Sequence, residues 1–387
     1  MMENYDLTDI LEMGESYNLK LNPKIERRFV NGMWGMYATD SIKSGEVLIA
    51  SNTPNLIESD NLGDYLAKIS AEYELGKKSK LYPWFRSIGE LDSYKTNSVY
   101  YITDDELETI QSFSPIIAHQ IKLYNKKMMS NINILKETHG VEQSTAELVC
   151  LLSEARKWDI GFMPVFDLFN HSFRLGNPAY RFSNPELEVS NDAHWVFIAR
   201  LDYKEGDEIF VSYSIKDTLK YAYGFNFYDA SDIHMIDITN RLLFKLNDEL
   251  DSAVFESIKN QYGVIHYDEI SAYSITEPHI IIDGAPSYDL IKLVKAFSYN
   301  SIEDLNNSIV SYEKFDTMFL DWISSATHKA NDDVVQNGIP DDKITPLVER
   351  FLLIANKERL LLQKVVDWII ANSNTFSTRF LNQSTQN

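Results

Sequence analysis

Two blocks of β-forming sequence bracket a long helical one, and this order constrains the fold more than any single motif. The first block runs Phe29-Val30-Asn31-Gly32-Met33-Trp34-Gly35-Met36-Tyr37-Ala38, turns at Asp40-Ser41-Ile42-Lys43-Ser44-Gly45-Glu46 and continues as Val47-Leu48-Ile49-Ala50. β-Branched and aromatic residues punctuated by glycine read as a meander of short strands. From about residue 60 to 158 the apolar period becomes helical. Tyr65, Ile69, Tyr73 and Leu75 mark one stretch. Thr145 opens the clearest helix, along which Leu148, Leu151, Leu152, Ala155 and Trp158 recur, with Arg156 beside this stripe near its end. Strand-like segments return over 160–213, notably 194–199 and 208–213, the latter after the turn Lys204-Glu205-Gly206-Asp207. The two β blocks read as halves of one α+β domain that carries a helical insertion.

The flanks read as helical. Residues 1–27 form a polar helical leader in this reading. Asp217 is a candidate N-cap of a short helix that Gly224 would stop. Beyond 231 the candidates are 240–250, 288–297, 313–331 and 347–371, the last opened by Pro346 and carrying Phe351, Ile354, Leu361, Val365 and Trp368 on one side. The polar tail after Asn372 is expected to fray. The expected organisation is a leader at 1–27, a β-rich domain at 28–230 with its insertion at about 58–158, and an all-helical domain at 231–387.

Composition narrows the chemistry. The single cysteine, Cys150, excludes a disulfide framework or a Cys-rich zinc cluster and points to a reducing, cytoplasmic compartment. The acidic start of the chain lacks the apolar core of a secretory signal, and no apolar run approaches the roughly 20 residues that span a bilayer. Lys and Arg number 36 against 57 Asp and Glu, a net charge of −21. Such a surface repels phosphate backbones and anionic lipid and steers in basic peptides or proteins. No phosphate loop, G-x-S-x-G, H-E-x-x-H or G-x-G-x-x-G is present.

Three segments stand out instead. Gly32-Met33-Trp34-Gly35 is a glycine-bounded turn that lets a ligand approach the backbone. Asp167-Leu168-Phe169-Asn170-His171-Ser172 follows an apolar stretch. Gly206-Asp207-Glu208-Ile209-Phe210-Val211-Ser212-Tyr213 is followed ten residues later by Tyr223-Gly224-Phe225. In this order, with the helical insertion ending in Arg156, the set resembles a SET-domain protein methyltransferase of the branch that includes Rubisco large-subunit methyltransferase. That branch has a helical insertion and an all-helical C-terminal substrate-binding domain.

The resemblance implies S-adenosylmethionine as cofactor, with no metal. It places Gly32, Met33 and Trp34 against the cofactor through their backbone. Arg156 would pair with the methionyl carboxylate, as suits a guanidinium fork. Backbone groups of Asn170 and His171 would meet the adenine, the Asn170 side chain would reach the methionyl end, and carbonyls near Asp167 would line the methyl-transfer channel. Tyr213 matches the catalytic tyrosine, and Tyr223 and Phe225 a second aromatic wall. Trp158, two residues after the matched arginine, and Tyr180 would shape the acceptor pocket. An aromatic at 158 favours lysine over the histidine that other members methylate. The chain departs from the family pattern at Ser214, where glycine is usual, and in its short spacing to Tyr223. Three readings therefore stay open: a protein-lysine methyltransferase, a protein-histidine methyltransferase, and a non-catalytic binding protein on the same scaffold. The expected partner is a folded, locally basic protein, and the expected state is a cytoplasmic monomer with no nucleic-acid or membrane partner.

Overall fold

The computed structural model describes residues 11, 19–31, 33–51, 61–88, 94–95, 98–158, 161–163, 165–172, 175–177, 179–182, 194–213, 222–223, 235–237, 264–267, 272–275, 280–282, 285–286, 317 and 339–383. Among the described residues a helical Leu11 precedes four short strands, β1 (Leu19–Leu21), β2 (Ile25–Val30), β3 (Met33–Ala38) and β4 (Val47–Ser51). β2 and β3 form a hairpin in the register Ile25↔Ala38, Arg27↔Met36 and Phe29↔Trp34. Directly opposed residues of an antiparallel pair share a face. Ile25, Met36 and Ala38 on one face are buried, so Arg27 stands where the alternation calls for an apolar side chain.

Helices α1 (Leu62–Glu74), α2 (Tyr82–Ile88), α3 (Asp104–Phe113), α4 (Pro115–His139) and α5 (Gln143–Arg156) follow, with Tyr94 and Lys95 also helical. The described residues of the insertion up to Arg156 are thus mainly helical. Asn61 caps α1, its Oδ1 accepting from the Gly63 and Asp64 N–H groups at 2.7 and 3.3 Å. α5 runs into β5 (Lys157–Trp158), which pairs with β6 (Gly161–Phe162). β7 (Ala179–Phe182) and β8 (His194–Ile198) complete an antiparallel sheet of order β1-β4-β8-β7. Its register Ile49↔Phe197 and Ala50↔Val196 joins strands from before and after the insertion. The two β blocks are therefore one sheet. Phe166 and Phe169 pack edge-on against Phe197, at 4.8 and 5.8 Å between ring centres, and all three are buried.

Several expectations are corrected. Residues 19–21 and 25–27, read as part of a helical leader, are strands, because Leu19 and Ile25 alternate with polar residues and pair with β4 and β3. Residues 208–213 do not form a continuous strand. They make isolated bridges to two different segments, Tyr37↔Glu208 on one side and His171↔Val211 and Asn177↔Val211 on the other.

The C-terminal part is not all-helical. It holds β9 (Met235–Asp237), β10 (Val264–Tyr267), β11 (Ala272–Ile275), β12 (Ile280–Ile282) and β13 (Ala285–Pro286). β-Branched runs such as Ile280-Ile281-Ile282 favour this state. α6 (Pro346–Gln383) outruns the expected end at 371, since no Gly or Pro interrupts it. The helices expected at 240–250 and 288–297 lie outside the described residues, as does that at 313–331 except for a helical Thr317.

By packing, the chain divides into two units. One comprises Met1–Tyr101, Leu123–Ile215 and Tyr223–Phe227; the other comprises Ile102–Lys122, Lys216–Ala222 and Tyr228–Asn387. The expected boundary at 230/231 is therefore incomplete. α3 sits within the insertion by sequence but belongs to the second unit, where it packs against α6. The joint is made through caps. The Glu106 carboxylate accepts from the Thr103 N–H at 2.9 Å through Oε2 and from the Thr345 hydroxyl at 2.6 Å through Oε1. Thr345 Oγ1 in turn accepts from the Val348 N–H at 3.3 Å, ahead of Pro346 in the first helical position. One carboxylate thereby serves two helix starts.

Candidate active site

The site lies in the first unit, where two irregular segments cross. The Val211 N–H donates to Asn170 O at 2.9 Å, and the Ser212 N–H donates to Asn177 O at 2.9 Å. A Cβ on Gly176 would sit 2.3 Å from Ser172 O and 2.8 Å from Val211 O, so the crossing requires glycine there. Asn177 is wholly buried and ties the crossing together. Its Nδ2 donates to Tyr203 Oη and Phe210 O, both at 2.7 Å, while its Oδ1 accepts from the Arg200 N–H at 2.7 Å.

The glycine turn joins this crossing through Asn170. Asn170 Nδ2 donates to Trp34 O at 2.8 Å and to Glu208 Oε1 at 2.7 Å. Glu208 Oε2 accepts from the Tyr37 hydroxyl at 3.2 Å; burial and the neighbouring carboxylate raise that phenol's pKa. A Cβ on Gly35 would lie 2.5 Å from Glu208 Oε1 and 3.1 Å from Asn170 Nδ2. The second glycine of the turn therefore makes room for the protein's own clasp. The Asn170 amide hydrogens, expected to reach the methionyl end, are committed to Trp34 and Glu208.

Next to the crossing is a buried charge cluster. Val165 adopts φ 74°, a strained value for a β-branched residue. It turns the chain into the tight helical turn Phe166–Leu168, which delivers Asp167 to the interior. Asp167 Oδ2 accepts from Trp84 Nε1 at 2.9 Å and from Arg156 Nη1 at 3.4 Å; Nη1 also donates to Asp167 O at 3.0 Å. Arg156 Nε donates to Tyr94 Oη at 3.2 Å. Burial raises the Asp167 pKa, and Arg156 offsets part of that rise. Burial alone would lower the Arg156 pKa, but Tyr94 and Asp167 outweigh it and the guanidinium stays charged. The Arg156 side chain retains 25% exposure against 3% for Asp167, so the arginine is the member of the pair that a ligand can reach. Asp167 Oδ1 is buried and makes no hydrogen bond among the described residues.

Tyr213 closes the group. Its hydroxyl donates to Phe169 O at 2.6 Å, and its N–H donates to His171 Nδ1 at 3.1 Å. The second bond requires an unprotonated Nδ1 on His171. The imidazole and phenol rings lie 5.2 Å apart. Burial pushes the Tyr213 pKa well up, with Arg156 and Asp167 acting in opposite directions. The hydroxyl thus stays protonated, as a fixed donor and not a base.

The structure brings Trp34, Asn170, His171, Tyr213, Arg156 and Asp167 into one connected region. Met33 is exposed at the start of β3. Trp158 lies in β5 opposite Gly161, and Tyr180 in β7 opposite Val196. Tyr223 packs on Tyr124 of α4 with ring centres 5.1 Å apart. Gly32 and Phe225 lie outside the described residues. Sequence reasoning missed Trp84, Tyr94, Glu208, Asn177 and Arg27. Only Arg27 left a trace there, as a charge on the apolar phase of a strand.

Against known proteins, residues 33–214 match the family model of the SET domain. The chain has the SET-domain fold, a mixed arrangement of small sheets and helices. Similar solved structures include the SET domain of LSMT bound to lysine and AdoHcy, at 12% identity and a TM-score of 0.62, covering 95% of this chain and 91% of that one. Rubisco LSMT bound to sinefungin and monomethyllysine is similar at 12% identity and a TM-score of 0.60, with 96% and 92% covered. Rubisco LSMT bound to AdoMet is similar at 12% identity and a TM-score of 0.58, with 95% and 92% covered. No curated protein sequence matches the chain.

Proposed function

We propose that this chain is an S-adenosylmethionine-dependent protein methyltransferase acting on a lysine of a folded, locally basic protein. The observation that carries the reading is the Tyr213 hydroxyl locked on Phe169 O, beside an Arg156–Asp167 pair whose guanidinium a ligand can reach. The neighbours in fold include proteins bound to AdoMet and to lysine or monomethyllysine, which supports the same cofactor and acceptor here. The aromatic Trp158, two residues after Arg156, supports lysine over histidine. The net charge of −21 supports a basic partner.

The residues present suit the cofactor. A methionyl group carries a carboxylate and an ammonium. Arg156 offers a reachable guanidinium for the first. S-Adenosylmethionine supplies an electrophilic methyl on a sulfonium sulfur. The chain's own part is to orient and to exclude water. Tyr213, held at both its hydroxyl and its N–H, presents a phenolic oxygen of fixed direction, and such oxygens can hold polarised C–H groups by weak contacts. A lysine brought into such a buried site loses hydration, which lowers its pKa and frees its lone pair without a strong base.

The test is transfer of labelled methyl from S-adenosylmethionine to proteins of the chain's own cell extract, with Tyr213→Phe as control and mass spectrometry on the product. Tyr213→Phe leaves Phe169 O without its donor. It also removes the phenolic oxygen offered to the methyl group, so turnover should fall with cofactor affinity nearly unchanged. Equal loss of both would contradict the role given to Tyr213. Methylhistidine in the product would replace lysine as acceptor.

A further inference from the structure

Arg27 has no place in the account so far, and its surroundings are unusual. It lies on the buried face of the β2–β3 hairpin, opposite Met36, which is fully buried. Its guanidinium carbon stands 4.6 Å over the Trp34 ring, and Trp34 is the residue whose carbonyl Asn170 holds. Nη2 makes one long bond, to Ser87 O at 3.4 Å. Nε and Nη1 are buried and make no hydrogen bond among the described residues. Burial, then repulsion from Arg156, draws its pKa down to about 10, with Asp167 acting the other way. It is still charged at neutral pH.

A buried cation without full pairing costs several kcal/mol. Here two guanidiniums share one carboxylate, and that carboxylate already serves Trp84 and Arg156 through Oδ2. The cluster is short of one anion. Guanidinium forks select planar, bidentate anions, and a carboxylate is the smallest that fits the description.

We infer that Arg27 is a second guanidinium for the carboxylate of the cofactor's amino-acid part, acting beside Arg156. This rests on the S-adenosylmethionine reading above. The strand residue then accounts for its own burial. Its Nε and Nη1 stay without partners among the described residues because the ligand completes them, and its cation–π contact with Trp34 couples the glycine turn to the charged end of the same ligand.

The test is calorimetry on the full chain with two probes, S-adenosylhomocysteine and its decarboxylated analogue. Wild type should favour the carboxylate-bearing probe. In Arg27→Met that preference should fall at least tenfold, while affinity for the decarboxylated probe changes little. The ligand-free variant should melt no lower than wild type, because an unpaired buried charge has been removed. An undiminished preference in Arg27→Met, or a wild type indifferent to the carboxylate, overturns the inference. A lower melting temperature with preference intact does so too, and leaves Arg27 a packing residue. Should Arg27→Met fail to fold, Arg27→Lys takes its place. It keeps the charge and loses the fork, so the preference should drop at least threefold, and no drop overturns the proposal. A wild type that binds neither probe overturns the methyltransferase reading itself, a result distinct from the rest.

Discussion

Asp167 is the residue on which the site's electrostatics turn. Its carboxylate is buried at 6% exposure, takes the Trp84 indole N–H and pairs with Arg156. Asp167→Asn keeps the shape and removes the charge, leaving two partly buried guanidiniums to repel each other. The expected cost is about 3–5 kcal/mol of stability, read from urea unfolding; a loss below about 1 kcal/mol would mean that the pair is solvated. Gly35→Ala is the second residue-scale test. With Glu208 Oε1 2.5 Å from the new Cβ, the Glu208 carboxylate must swing aside and its bond from Asn170 Nδ2 opens. About 1–3 kcal/mol of destabilisation follows from overpacking, together with weaker cofactor binding by calorimetry. At this scale the sequence was informative wherever a residue belonged to an ordered motif, as with Arg156, Asn170, His171 and Tyr213. It was silent on Trp84, Tyr94 and Asn177. Their roles come from chain segments that meet only after folding, and an isolated Trp, Tyr or Asn has no pattern to betray it.

At the scale of elements, periodicity revealed the insertion helices and the β4 and β8 strands, because each has one apolar side with a regular period. It failed over 208–213, whose alternation resembles a strand although its partners lie in two separate segments. It failed again over 264–286, where runs of Ile, Val and Tyr are as compatible with a buried helix as with a strand. The shared cap at the starts of α3 and α6 makes an element-scale prediction. Thr345→Ala removes the hydroxyl between Glu106 and the Val348 N–H and should cost about 1 kcal/mol. Burial works against Glu106, but bonds from Thr103 and Thr345 outweigh it and hold its pKa below the usual value. A depressed carboxyl stabilises the fold above its unfolded pKa, and the contribution disappears as pH falls through its folded pKa. The stability difference between wild type and Glu106→Gln should therefore shrink below about pH 4. A difference that is constant from pH 7 to pH 3 would contradict the double cap.

On the scale of the whole molecule, the lone cysteine is a convenient reporter. Cys150 is buried in α5 and burial pushes its thiol up to about 12. At pH 8 only about one thiol in ten thousand would be ionised. Folded protein should not react with thiol reagents on the scale of minutes, and one equivalent should appear in denaturant. Rapid labelling of the native protein would mean that α5 opens. Among the described residues no helix is long and apolar enough to cross a membrane. The dependence of α3 on α6 also has a consequence during synthesis. Glu106 and Thr345 are 239 positions apart, a wait of roughly 12–48 s at about 5–20 residues per second. Through that interval α3 has left the ribosome while the helix that covers it does not yet exist. The α3–α6 contact can close only after α6 has been synthesised, so a nascent chain stalled anywhere before residue 346 presents α3 to the cell's chaperones without that cover.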